Sequence, residues 1–442
     1  MLQPRNRLTC ISLGVCLAFT LGGGLLIQPA TGLHLATGDA LAAKDVVRPQ
    51  KVVSKRLMTH DQQTYLELAR LWQEYYKEFP SEDAYANWMY ATRYANLPDY
   101  EKLLDEGLEK YPGNPVLHYL AGLRRHGAAD NRAGLEHLQR AVALDPTYMD
   151  PWFALATHYT SQNDQERLNV ALRHLLEGDA ISDFFMDYSY NMLVGLAPDA
   201  ILVTNGDNDT YPGWILTRLL KHRPDVTLVN RSLLNTDWYP LQLMEQGLPA
   251  FISAAELTEL HEGVVADLKS GQRKMPPLGP FTDPLLEKLI TAAAAVGRPV
   301  YFTWTLTPSD LIDRYLEQGR PLGLVVLVTP PEHPHQDDLN TALDHWLHDY
   351  RTGGLDSWQL RHATADDAAL VMARNYAAAL HQMMADITTH TPDRRAGLFQ
   401  WYRQHVADLM TSGMRSAMNH LWCEMKDVPE IATWCRRQGY GE

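Results

Sequence analysis

Two carboxylates separated by one residue, Asp207 and Asp209, stand in the polar run Asn205-Gly206-Asp207-Asn208-Asp209-Thr210. Paired acids at that spacing suit a hard divalent cation, which takes oxygen ligands. A second polar cluster follows, with Asn230, Arg231, Ser232, Asn235, Thr236, Asp237 and Trp238, and a third with Thr303, Trp304 and Thr305. Carboxylates, amides and hydroxyls gathered in this way also suit a sugar or a phosphate. The candidate ligand-binding set is therefore Asn205, Asp207, Asn208, Asp209, Thr210, Asn230, Asn235, Asp237 and Trp238, with Asp207 and Asp209 as the metal pair. A competing reading stays open, because Asp and Asn after a strand also cap helices and satisfy loop amides with no ligand at all. There is no GxGxxG, no P-loop Gly-Lys-Ser/Thr and no GxSxG, and the Asp spacing is not that of the Asp-nucleophile phosphatases. A divalent cation is the one cofactor the residues point to, and no base–nucleophile pair accompanies it.

The elements that must position these residues read as a small α/β unit. Asp199–Asn205 is a short apolar, β-rich run between turn formers, hence a buried strand. A polar loop from Gly206 to Pro212 leads to an amphipathic helix from about Gly213 to His222, with Pro212 suited to its first turn. A second strand covers Val226–Asn230, and two more cover Pro299–Leu306 and Leu322–Thr329. Helices precede the last two, at Pro284–Val296 and Ser309–Gln318, and 270–284 reads as an exposed loop. This alternation predicts a doubly wound, parallel sheet over 186–335, whose ligands bind outside the carboxyl ends of the strands.

Before this unit, residues 60–185 show helical periodicity punctuated by Pro80, Pro112 and Pro146, with spacings of 32 and 34. Gly122, Gly134, Leu138, Ala141 and Pro146, then Trp152, Leu155, Ala156, Tyr159 and Leu172, fall at small and large positions that let paired helices approach. In these positions the segment resembles tetratricopeptide repeats. The unit before Pro112 is degenerate, with a short second helix over Tyr100–Lys110. Such stacks either bind a peptide or protein on their concave face, near Trp152 and Tyr159, or buttress the next domain. After the sheet, 336–442 reads as further helices at Leu339–Tyr350, Asp366–Thr388, Gly397–Ser412 and Met414–Met425. The fold class is thus mixed α and α/β, in three folded segments. The histidines of Glu332-His333-Pro334-His335, with His345 and His348, read as solvated rather than as a metal cluster.

The N-terminus reads as an export signal. Arg5 and Arg7 precede an apolar run from Leu8 to Ile27, and Ala40-Leu41-Ala42 offers a peptidase site before Ala43. An uncleaved anchor is the alternative; in that case alone is the membrane a partner. No later segment is long and apolar enough to span a bilayer. Removing residues 1–42 takes two arginines and one aspartate from a chain of net charge −14, leaving −15. That acidity argues against nucleic acid as a partner. Cys423 and Cys435 remain, and an oxidising compartment predicts one local disulfide between them.

The stretches Asp187–Leu193, Ala197–Pro212 and Val229–Tyr239, with Arg298–Phe302 and Leu322–Leu324, resemble the soluble portion of a family of large bacterial multi-pass membrane proteins. That family is uncharacterised and related to protein O-mannosyltransferase-like enzymes. The resemblance covers roughly residues 187–330. It implies a stand-alone exported version of the soluble module joined to repeats; the transferase activity belongs to the relatives' membrane region and does not carry over. The residues themselves leave two readings: a protein-interaction scaffold whose α/β module binds a polar, glycan or phosphate ligand, or a cell-envelope carbohydrate-active enzyme of glycosyl-transfer type holding a divalent cation at Asp207 and Asp209.

Overall fold

The computed structural model describes residues 46–124, 132–272, 274–276, 278–329 and 335–440. Residues 1–42, read as an export signal, and the segment Glu332–Pro334 lie outside the described residues.

Turn-forming residues set the helix starts. The Asp61 carboxylate accepts the Thr64 amide at 2.7 Å and opens α1 (Gln62–Glu78). Ser81 caps α2 (Glu82–Tyr94), and Asn114, followed by proline at the first helical position, caps α4 (Pro115–Gly122). Between them lies α3 (Tyr100–Lys110), the short helix read from the sequence. α5 (Arg132–Leu144), α6 (Asp150–Ser161), α7 (Gln165–Glu177) and α8 (Asp183–Val194) follow. Helices α4/α5 and α6/α7 pack as hairpins, giving a helical repeat-like region. Gly122 makes one hairpin possible, since a Cβ there would overlap the Leu138 side chain.

The middle of the chain runs β1 (Ile201–Thr204), α9 (Asp207–Trp214), β2 (Thr227–Asn230), α10 (Tyr239–Glu245), α11 (Ala254–Ser270), α12 (Thr282–Ala295), β3 (Val300–Thr303), α13 (Asp310–Gln318), β4 (Arg320–Leu322) and β5 (Val325–Leu327). The sheet order is β2-β1-β3-β5-β4. β1 pairs in parallel with β2 and β3, but β5 runs antiparallel to both β3 and β4. The sheet is therefore mixed, not wholly parallel. The apolar run read as one strand over Leu322–Thr329 is broken by Gly323, whose φ of +76° turns the chain back on itself. The run read as a polar loop is also different: α9 begins at Asp207, so Pro212 lies inside the helix rather than in its first turn. A π-helical turn, Ile215–Leu219, follows directly.

Alternation along the strands divides two cores. Leu202, Leu228, Tyr301, Val325 and Leu327 face the repeats and the C-terminal helices. Ile201, Val203, Val229, Val300, Phe302 and Val326 face the layer formed with α10, α12 and α13. The C-terminal helices are α14 (His335–His348), α15 (Trp358–Arg361), α16 (Ala368–Ala373), α17 (Asn375–His390), α18 (Arg395–His405), α19 (Ser412–Cys423) and α20 (Pro429–Arg437). The helix read over Asp366–Thr388 is two helices, and α20 had no counterpart in the sequence reading. Cys423 and Cys435 are bonded and tie α19 to α20, with Cα atoms 5.8 Å apart.

Candidate functional site

The polar residues do meet at the carboxyl ends of the strands, and most of their hydrogen-bonding capacity is spent there. Asp209, at the third position of α9, is buried, and its carboxylate accepts the amides of Asn205 (2.8 Å) and Gly206 (3.0 Å). It also accepts the Thr305 hydroxyl, which in turn lies 2.6 Å from Thr303 Oγ1. Burial pushes the Asp209 carboxyl up, and these donors oppose the shift. The Thr204 and Thr210 hydroxyls lie 2.6 Å apart, and Asn230 Nδ2 donates to Thr210 at 3.1 Å. The Tyr239 hydroxyl accepts the Asn230 amide at 3.0 Å, and Asn230 Oδ1 accepts that of Leu233 at 3.2 Å. Thus β1, β2, the end of β3 and the first turn of α9 are joined by one buried polar network.

Asn205 and Asn235 serve neighbouring loops. Asn205 Oδ1 accepts the Thr307 amide at 2.9 Å. Asn235 Nδ2 donates to the Leu278 carbonyl at 2.5 Å, and its Oδ1 accepts the Phe281 amide at 3.2 Å. Arg231 is buried and bonds Asp283 at 2.6 Å and the Thr307 carbonyl at 2.5 Å. Asp237 is exposed, and Trp238 packs edge-on against Tyr239 at 5.4 Å.

Asp207 and Asp209 do not converge. Asp207 turns outward, with 47% of its side chain in contact with solvent, and Arg56 Nη1 lies 3.7 Å from its carboxylate. Burial against the protein beneath raises its pKa, and Arg56 opposes the shift. Beside it, Arg56, Phe153, Phe185, Asn208 and Pro212 line a recess of about 10 Å³, room for one water rather than a sugar. Among the described residues, no group of three or more His, Cys, Asp or Glu is arranged around a common metal position.

Arg56 belongs to an arm, residues 46–60, that the sequence reading did not mark; the arm carries Arg56 in a turn where the Ser54 carbonyl accepts the Leu57 amide at 2.9 Å. The arm crosses the inner face of the repeats, where α2, α4 and α6 lie in succession. Trp72 Nε1 donates to the Gln50 carbonyl at 2.9 Å. Asn87 Oδ1 accepts the Val52 amide at 3.0 Å, and the Tyr94 hydroxyl accepts the Lys55 amide at 3.1 Å. Arg56 pairs with Asp150, and its guanidinium lies 3.8 Å from the centre of the Phe153 ring. The Tyr90 hydroxyl donates to the same Asp150 at 2.8 Å. Asn208 Nδ2 donates to the Arg56 carbonyl at 2.9 Å, so this candidate ligand residue grips the arm. The arm then bridges to the C-terminal half, where Thr59 donates its amide to the Asp366 carbonyl at 3.0 Å and Met58 pairs antiparallel with Asp367.

The α/β unit closes the rest of this face. The Tyr211 hydroxyl lies 2.6 Å from Thr157 Oγ1 on α6, and Gln242 Nε2 donates to the Thr160 carbonyl at 2.8 Å. Trp152 stacks on His174 with ring centres 3.8 Å apart, and Tyr159 is buried.

Residues 185–251 match a family model described as TMEM260-associated domain 2. They are similar to that domain. The matched stretch takes in nearly all of α8, then β1, α9, β2 and α10, hence both polar clusters that carry Asp207, Asp209, Asn230 and Asn235. No curated protein and no solved structure matches the chain.

Proposed function

We propose that this chain is an exported, non-catalytic binding protein. Its tetratricopeptide-like repeats form a groove for a basic peptide segment, and its α/β module braces one side of that groove. One observation carries the reading: the arm lies across the repeats as a peptide ligand would. Asn87 and Tyr94 take main-chain amides, which grips any sequence, and Asp150, Tyr90 and Phe153 frame one arginine, which selects. The groove's acidic and aromatic lining suits a partner segment carrying Arg. The arm's direct tether to α1 keeps it at an effective concentration of about millimolar or above, so a partner competes with the arm for the groove.

A titration of a labelled peptide spanning residues 46–58 against a chain beginning at residue 59 tests this. Saturable binding that disappears with Asp150→Ala is expected. A folded truncated chain that leaves the peptide free would contradict the reading. Export carries its own check, since the protein recovered from the cell envelope should begin at Ala43.

The enzyme reading, with a divalent cation at Asp207 and Asp209 and a glycan substrate, has less support. The Asp209 carboxylate is committed to two amides and a hydroxyl, and the recess beside Asp207 holds about 10 Å³. A melting curve with Mg²⁺, Mn²⁺ or Ca²⁺ distinguishes the two readings. A raised midpoint that Asp207→Ala abolishes would favour the enzyme.

A further inference from the structure

The arm turns at the point where the groove holds it most closely. The Ser54 carbonyl accepts the Leu57 and Met58 amides at 2.9 and 3.1 Å, and Ser54 Oγ accepts the Arg56 amide at 3.3 Å. Ser54–Leu57 is therefore a tight turn, opened by a hydroxyl residue of the kind that position favours. Ser54 is buried, whereas Leu57 is 51% exposed. The two corner residues reach different helices. The Lys55 ammonium lies 4.9 Å from the centre of the Tyr65 ring on α1 and 4.8 Å from that of Tyr94 on α2. Partial burial and then the charge of Arg93 hold its pKa below the usual lysine range, so ring faces rather than a carboxylate meet this cation. The Arg56 guanidinium instead reaches α6, pairing with Asp150 against the face of Phe153. The main chain of the turn is read as well. The Tyr94 hydroxyl accepts the Lys55 amide at 3.1 Å, and Asn208 Nδ2 donates to the Arg56 carbonyl at 2.9 Å. Asn208 and Asp207 stand in the first turn of α9, so the stretch similar to the TMEM260-associated domain completes this site.

We propose that the groove recognises a dibasic turn in its partner: a turn-opening residue such as Ser, then Lys and Arg at the two corners, then a residue of any type. This names the ligand class of the peptide-binding reading and rests on it. The second corner selects Arg over Lys. A planar guanidinium donates to Asp150 and lies flat on Phe153 at once, whereas an ammonium is a point charge that serves one of them. The first corner is met by two ring faces and accepts either cation. The turn itself is part of what is read. It sets the Arg carbonyl against Asn208 while the Arg side chain enters the Asp150 pocket, and two cations placed one residue further apart cannot make both contacts.

The test uses the full chain carrying Lys55→Met with Arg56→Met, which weakens the arm and leaves every groove residue in place. A labelled peptide spanning residues 46–58 is titrated against it, beside one peptide with Arg56→Lys and one with a single glycine inserted between Lys55 and Arg56. Saturable binding of the native peptide is expected, with both altered peptides roughly ten-fold weaker or more, although their charge is unchanged. Native and glycine-inserted peptides of equal affinity would overturn the dibasic turn and leave the peptide-binding reading standing. A native peptide that stays free, while fast exchange of the Val52 amide shows the arm released, would overturn that reading and this inference with it. Wild type supplies a measurement that needs no variant. Its Leu57 and Met58 amides should be protected from hydrogen exchange, and exchange at the free-chain rate overturns the turn.

Discussion

Asp207 and Asp209 look equivalent as a pair of acids, yet their environments assign them opposite weights. Asp209 is buried beneath two amides and a hydroxyl, so Asp209→Ala strands three donors and should cost about 2–4 kcal/mol. Asp207 is half exposed beside Arg56, so Asp207→Ala should cost less than about 1 kcal/mol. Denaturant melts of the two variants check the contrast. The capping reading of Asp209 was legible in the sequence, because its two amide donors lie three and four residues away, whereas Thr305 lies 96 positions on. Arg56 was not legible, since its partner Asp150 lies 94 positions away and Asn208, which grips its carbonyl, 152. Burial also holds His158, His222, His261 and His381 below the usual histidine range. The folded chain then takes up fewer protons than the unfolded one, so stability from these groups is full above about pH 6.5 and falls as pH drops below it. Asp187, Asp207 and Asp209, whose pKa values are raised, work in the other direction at lower pH. Melting midpoints between pH 7.5 and 5.5 should therefore fall for wild type, and less steeply for His158→Gln combined with His261→Gln.

At the scale of elements, short-range patterning was readable and turn placement less so. The strand cores of β1, β2 and β3 sit within the runs marked by their apolar, β-rich composition. The end of β4 and all of β5 were read as one strand because the apolar run continues past Gly323, and only its positive φ reveals the hairpin. The start of α9 was missed because Asp, Asn and Thr before a proline carry turn chemistry as well as capping chemistry. At the C-terminus, the disulfide fastens α20, whose buried Ile431 and half-buried Trp434 pack on the core, with Trp434 5.3 Å from Phe399. Closing a loop of this length is worth roughly 3 kcal/mol. Reduction should lower the melting midpoint and release α20 first, observable as early proteolysis beyond residue 425.

Across the whole molecule, the sheet is a wall with a core on each side. The larger core runs without a break from Val52 in the arm, through the repeats and one face of the sheet, to Cys435. Three segments were legible in the sequence, and their shared interior was not, although a signal was present. α2 buries Ala84, Tyr85, Ala86, Trp88, Met89, Tyr90 and Ala91, and α6 is buried almost as fully, so neither has a solvent-facing side. Helices buried all round require cover on both sides, here from the arm, α1, α9 and their hairpin partners. The account therefore predicts one cooperative unfolding transition for the full chain and an unstable, aggregation-prone fragment over 46–185. Scanning calorimetry of the two checks this. The central claim, that the repeat groove holds a segment through its main chain and one arginine, is tested most directly by hydrogen exchange at Val52 and Lys55. In the intact chain both amides should be strongly protected, and Asp150→Ala should release them while α2 and α6 stay protected. Exchange of these two amides at the free-chain rate in wild type would contradict it.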